Sequence, residues 1–86
     1  MIEFRPDLPK YEQLAAEIRR RISDGVYQPG APIPGEPRLA EEFHIARRTA
    51  RKAIELLIKA GDVYTARSIG TFVSQPPQET PGSTAE

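Results

Sequence analysis

The stretch EPRLAEEFHIARRTARKAIELLIKAG, Glu36 to Gly61, decides the fold. Its first part reads as a short helix from Glu36 to His44 with Leu39, Ala40 and Phe43 on one face. Pro37 falls in the first turn, where a missing N–H is tolerated, and Glu36 lies near the positive helix end. A second amphipathic helix runs from about Ala46 to Ala60, with Ala50, Ala53, Ile54 and Leu57 as its buried stripe and Gly61 as its stop. Only His44 and Ile45 are left to make the turn between them. Two helices joined this tightly form a helix-turn-helix.

The second helix opens on cations. Arg47 and Arg51 share one face, Arg48 and Lys52 an adjacent one, and the apolar stripe points the other way. The net charge of the chain is +0, which argues against a polyanionic partner until the distribution is considered. From Arg38 to Lys52 the bases Arg38, Arg47, Arg48, Arg51 and Lys52 are opposed only by Glu41 and Glu42. Arginine suits bidentate contact with guanine in a major groove, and a helix N-terminus with Thr49 nearby suits phosphate oxygens.

Upstream, Gly25 to Gly35 carries Pro29, Pro32 and Pro34 and is read as a stiff connection, where Val26, Tyr27 and Ile33 could supply a short strand or core plugs. Before it, Lys10 to Asp24 is an amphipathic helix with Leu14, Ala15, Ile18 and Ile22 on one stripe and Glu12, Glu17, Arg19 and Arg20 around them. Pro9 suits its start and Gly25 its end. Residues 1–8 read as an extended arm. Downstream, Val63–Thr65 and Thr71–Val73 form a hairpin around Ala66–Gly70, a loop longer than the tightest turns. Two strands alone are marginal, so they must lean on the helices. Residues 75–86 are Gln, Pro, Glu, Thr, Gly and Ser with only Ala85 apolar, a linker or disordered tail. The domain is therefore expected over residues 9–74.

The chain has 86 residues, room for one small core, and no cysteine to staple it. No apolar run spans a bilayer and no signal peptide is visible, so a cytoplasmic, nucleoid-associated location is expected. His44 is the only histidine. A metal site, a cofactor or a nucleophile–base pair has nothing to be built from, and no catalytic residue is expected. Arg19, Arg20 and Arg21 read as a solvated face, Glu41 and Glu42 as surface, and Tyr11 and Tyr27 as packing side chains. Helix, helix, basic cluster and hairpin in this order make a mainly α unit with a small β wing (α+β), a three-helix winged helix-turn-helix.

The blocks PKYEQLAAEIRRRISDGVYQPG, IPGEPRLAEEF, HIARRTARKAIELLIKAG and GTFV, in this order from Pro9 to Val73, resemble the N-terminal DNA-binding domain of the GntR family of bacterial regulators. The resemblance implies a sequence-specific transcriptional regulator, more often a repressor, reading double-stranded operator DNA as a homodimer. It implies base contacts from Arg47 and Arg51, a phosphate contact from Thr49, and a Glu36 that touches DNA or the reading arginines. Gly70 matches the wing glycine whose backbone enters the minor groove, and Arg67 and Ser68 lie at the variable wing tip. Arg48 and Lys52 complete the basic face, and Lys10 and Tyr11 stand where a phosphate could be touched.

The departures are specific. Pro34–Pro37 lacks the family's serine and arginine, with Arg38 as the candidate substitute. Ala46 replaces the serine that caps the reading helix, a loss of about 1 kcal/mol. Arg48 replaces a common Thr or Asn, which shifts the expected operator. The family continues beyond the linker into an effector-binding, dimerising domain, so an effector is expected only where such a domain follows. A fragment cut at the linker and a small stand-alone regulator both stay open. The competing function is a winged-helix protein-interaction module without operator reading, separable by salt dependence.

Overall fold

The computed structural model describes residues 3–74; the expectation for the tail at 75–86 lies outside them. Three helices, α1 (Lys10–Ser23), α2 (Glu36–Phe43) and α3 (Arg47–Ala60), precede two strands, β1 (Val63–Ala66) and β2 (Gly70–Val73). Each helix ends where the sequence offers a residue for the left-handed region. Gly25 (φ 85°) follows α1 and Gly61 (φ 86°) follows α3. At both ends the next two N–H groups fold back onto the last-turn carbonyls, Gly25 to Ile22 and Val26 to Arg21, then Gly61 to Ile58 and Asp62 to Leu57. After α2 the left-handed position falls on His44 (φ 56°, ψ 51°), so α2 ends one residue earlier than its sequence indicates. The Ile45 N–H then reaches the Ala40 carbonyl at 3.0 Å, which closes the turn.

The core joins all five elements. Leu14, Ala15 and Ile18 from α1, Leu39 and Phe43 from α2, and Ala50, Ala53, Ile54 and Leu57 from α3 are buried with Ile33, Val63 and Val73. Ile22, expected on the stripe of α1, is only half-buried. β1 and β2 are antiparallel with Val63 opposite Val73 and Ala66 opposite Gly70. The wing loop is therefore Arg67–Ile69, shorter than the Ala66–Gly70 span expected, because Ala66 and Gly70 pair across the hairpin. The Gly25–Gly35 connection supplies a partial third edge: Ile33 N–H donates to the Thr71 carbonyl and Val73 N–H to the Ala31 carbonyl, both at 2.9 Å. Ile33 is the core plug there and Tyr27 packs against it, whereas Val26 is 63% exposed.

The reading of Arg21 as part of a solvated face is corrected. Its side chain is 16% exposed. Its guanidinium donates to Glu17 Oε2 at 3.0 Å and to the Tyr27 hydroxyl at 2.8 Å, and meets Glu42 at 3.0 Å. It also lies over the Phe43 ring, 5.0 Å from the centroid, so one side chain ties α1 to α2 and to the connection between them. Glu17, placed among the polar residues of α1, is buried for the same reason, with Arg20 donating from Nη2 to Oε2 at 2.6 Å and from Nε to Oε1 at 3.1 Å. Buried charge is tolerated here because each carboxylate oxygen is bonded. Burial favours the neutral form of Arg21, but the bonds to Tyr27, Glu17 and Glu42 outweigh it and raise its pKa.

Two predictions follow from this packing. Leu39→Ala removes a fully buried side chain and should cost about 2–5 kcal/mol in urea unfolding. The Arg20 hydrogen bond, against the opposing effect of burial and with help from Arg21, holds the Glu17 carboxyl below its ordinary value of 4.5. A depressed folded pKa means stability present above that ordinary value and lost as pH falls through the folded one. Glu17→Gln should therefore cost about 1 kcal/mol at neutral pH, since the partly exposed arginines limit the effect. It should also flatten the acid limb of the urea midpoint below the ordinary carboxylate value; an unchanged limb would show that Glu17 does not carry it.

Candidate nucleic-acid interface

α3 begins against its own electrostatics. Its first turn holds Arg47, Arg48 and Thr49 and no acid. The positive end of the helix dipole disfavours cations there by about 0.3–1 kcal/mol each. Ala46 has the extended backbone of an N-cap (φ −69°, ψ 149°) but no side-chain bond to the first turn. The Thr49 N–H reaches only the Ala46 carbonyl, at 3.0 Å. Helix N–H groups and two cations therefore converge where an anion would be held. Arg47, Arg48, Arg51 and Lys52 are exposed and Thr49 is half-buried, while Ala50 and Ala53 face the core.

The flanks of this surface are built by the other elements. On one side the Arg51 Nε donates to Glu36 Oε2 at 3.2 Å, joining α3 to the start of α2. That bond uses Nε and leaves both terminal nitrogens of the guanidinium for a bidentate acceptor such as guanine. On the other side Lys52 Nζ lies 5.4 Å from the Tyr11 ring centroid, which fixes the lysine over the first turn of α1. Lys10 stands next to it, 5.8 Å from the Phe4 ring. Arg38 is exposed on α2 and lines a different cleft, with Tyr27, Pro32 and Glu42.

The hairpin closes the Arg51 side. Thr65 and Thr71 line a cleft of about 560 Å³ with Gly35, Glu36, Arg51 and Ile54. Arg67, Ser68 and Gly70 are exposed at its tip, Ser68 left-handed at φ 65° and Gly70 at φ 142°. A side chain at Gly70 would meet no atom within 4 Å, so the backbone angle and not space calls for glycine there.

Sequence reasoning missed the Lys52–Tyr11 contact and the two threonines of the cleft. The first pairs residues on different helices. The second follows from the hairpin register, which puts Thr65 opposite Thr71. Among the described residues no group of three or more His, Cys, Asp or Glu could hold a metal ion. No helix among them is long and apolar enough to cross a membrane.

Comparison with known proteins agrees with this geometry. The model of the family described as bacterial regulatory proteins, gntR family, matches residues 10–73. The transcriptional repressor NagR of Bacillus subtilis is 39% identical over 78 residues, 91% of this chain and 32% of that protein. The arabinose metabolism transcriptional repressor of Geobacillus stearothermophilus is 44% identical over 69 residues, 80% of this chain and 19% of that protein. The chain thus spans about a third or less of these relatives. The structure of the AraR DNA-binding domain in complex with operator ORX1 superposes with a TM-score of 0.77 at 38% identity, covering 85% of this chain and 93% of that one. Three helices, a hairpin wing and a cationic second helix of the helix-turn-helix define a winged-helix DNA-binding domain. The chain belongs to the gntR family of bacterial regulatory proteins, whose members here are transcription regulators and not enzymes.

The bare N-cap gives a direct test. Ala46→Ser supplies an acceptor for the free N–H groups of the first turn and should raise stability by about 1 kcal/mol, read as a shifted urea midpoint. An unshifted midpoint would mean that the turn cannot seat the hydroxyl.

Proposed function

We propose that residues 9–74 are the operator-reading module of a transcriptional repressor that binds double-stranded DNA as a homodimer. Arg47 and Arg51 read base edges in the major groove, with Arg48 and Lys52 beside them and Thr49 on a phosphate. Glu36 aims Arg51, and Arg38 lies beyond it. Lys10 and Tyr11 touch the backbone on the α1 flank. Arg67, Ser68 and Gly70 approach the minor groove from the wing.

The observation that carries this reading is the start of α3. Two arginines at an uncapped positive helix end, with no acid in the first turn, are unfavourable in water and favourable against a phosphate backbone. The operator-bound state of the similar AraR domain supports the same orientation. Two-fold half-sites call for two copies. An effector belongs to this reading only where a further C-terminal domain follows. The site of action is the bacterial cytoplasm, on the nucleoid.

The test is a titration of a fluorescent palindromic duplex, selected from random sequence, with the wild-type chain and with Arg47→Ala and Arg51→Ala at two salt concentrations. Binding should weaken with salt, and each variant should lose about 1–3 kcal/mol of discrimination between the selected duplex and its mismatches. A pool that yields no enriched sequence, with variants binding like wild type, would overturn the reading in favour of a protein partner.

A further inference from the structure

β1 runs back along α3. The Asp62 N–H is bonded to the Leu57 carbonyl, and from there the strand climbs about 3.3 Å per residue while the helix spans about 1.5 Å. The three steps of β1 from Val63 to Ala66 thus cover roughly the same distance as the six helix steps from Leu57 back to Arg51. The shared cleft agrees, since Thr65 and Thr71 line it together with Arg51, Ile54 and Ile58. The wing loop, which follows Ala66, is thereby carried toward the basic end of α3. At that tip Ile69 is 73% exposed, above Val26 at 63% and Tyr64 at 47%. Its N–H donates to the Ala66 carbonyl at 3.0 Å, so the turn that presents it is closed. Single exposed isoleucines are ordinary on a protein surface. This one stands two residues from an exposed arginine, Arg67, on a closed turn beside a cationic helix.

We propose that Ile69 is a specificity-determining residue: anchored electrostatically by Arg67, it enters the minor groove beside the half-site and selects A·T over G·C pairs there. This rests on the operator-reading function proposed above. The chemistry is exclusion. The minor-groove floor of an A·T pair carries only acceptors, and a G·C pair adds the guanine N2 amine. An aliphatic side chain pressed onto that floor strips water from the amine and returns no acceptor, which penalises G·C. Other minor-groove binders also bring apolar side chains into that groove, as wedges between base steps.

Inosine separates this from every major-groove effect, because an I·C pair lacks the N2 amine yet keeps the major-groove pattern of G·C. The selected duplex is prepared with A·T, I·C or G·C at each pair flanking the half-site and titrated with the 86-residue chain, Ile69→Ser and Ile69→Val. Wild type should bind the A·T and I·C duplexes alike and at least one G·C duplex roughly five- to tenfold more weakly. Ile69→Val should keep that ranking and Ile69→Ser should lose it, with thermal melting unchanged in both. The inference is overturned if wild type treats I·C and G·C alike at every flanking pair, or if Ile69→Ser keeps the ranking. If Arg47→Ala and Arg51→Ala still abolish half-site discrimination in those titrations, operator reading survives and only the wing assignment falls. If no duplex is bound selectively, both fall together.

Discussion

The close seating of α3 on the other two helices is what everything at the surface depends on. Ala50 and Ala53 are fully buried on its inner face, each one residue from a cation of the outer face, Arg51 and Lys52 respectively. Helix axes approach within about 8–10 Å according to the side chains at the contact, so alanine at both places sets a short distance. A larger residue would lift the helix and carry every cation with it. The far end of α3 is pinned at Asp62. Its N–H donates to Leu57, its carbonyl accepts Ser74 N–H at 3.0 Å, and its carboxylate takes Arg19 at 2.7 Å. One corner therefore fixes α3, α1 and the end of β2 together, and the wing inherits its direction from it.

The zero net charge is explained by where the acids are used. The ion pairs of the described residues engage Arg5, Arg19, Arg20, Arg21 and Arg51 with Asp7, Glu17, Asp24, Glu36, Glu42 and Asp62. Arg38, Arg47, Arg48, Lys52 and Arg67 enter none of them. Neutralisation inside the fold leaves the field at the start of α3 positive, which is the field a polyanion meets.

What the sequence made legible follows the range of the interactions. The three helices were readable because their period and their glycine stops are local, and bounds moved by no more than a residue, at Asp24, His44 and Ala46. The wing loop was misjudged because its length is set by the pairing of Ala66 with Gly70 across the hairpin. The bridge of Pro32 to Phe72 joins residues far apart in the chain and leaves no local signal. Glu17 and Arg21 were the clearest loss, though a trace existed: with Leu14 and Ile18 they continue one side of the buried stripe at helical spacing. A polar residue on such a stripe calls for a partner, and the partners, Tyr27 and Glu42, belong to other elements. At the interface the cations were legible from one helix alone. The contact of Lys52 with Tyr11 needed the packing of α1 on α3.

The first turn of α3 sets stability and affinity against each other. An acid or a capping serine there would strengthen the helix. An acid would also repel a phosphate, and a cap would occupy the N–H groups that a phosphate could use. The chain has neither, and it places Arg47 and Arg48 at that end instead. An acid on the preceding helix, Glu36, binds Arg51 through Nε at 3.2 Å, so it orients a cation one turn into α3. An anion docking on this turn reverses the sign of each unfavourable contribution at once. Part of the binding energy is then relief of instability already stored in the free domain, and a local weakness of the fold becomes a reason for the surface to bind.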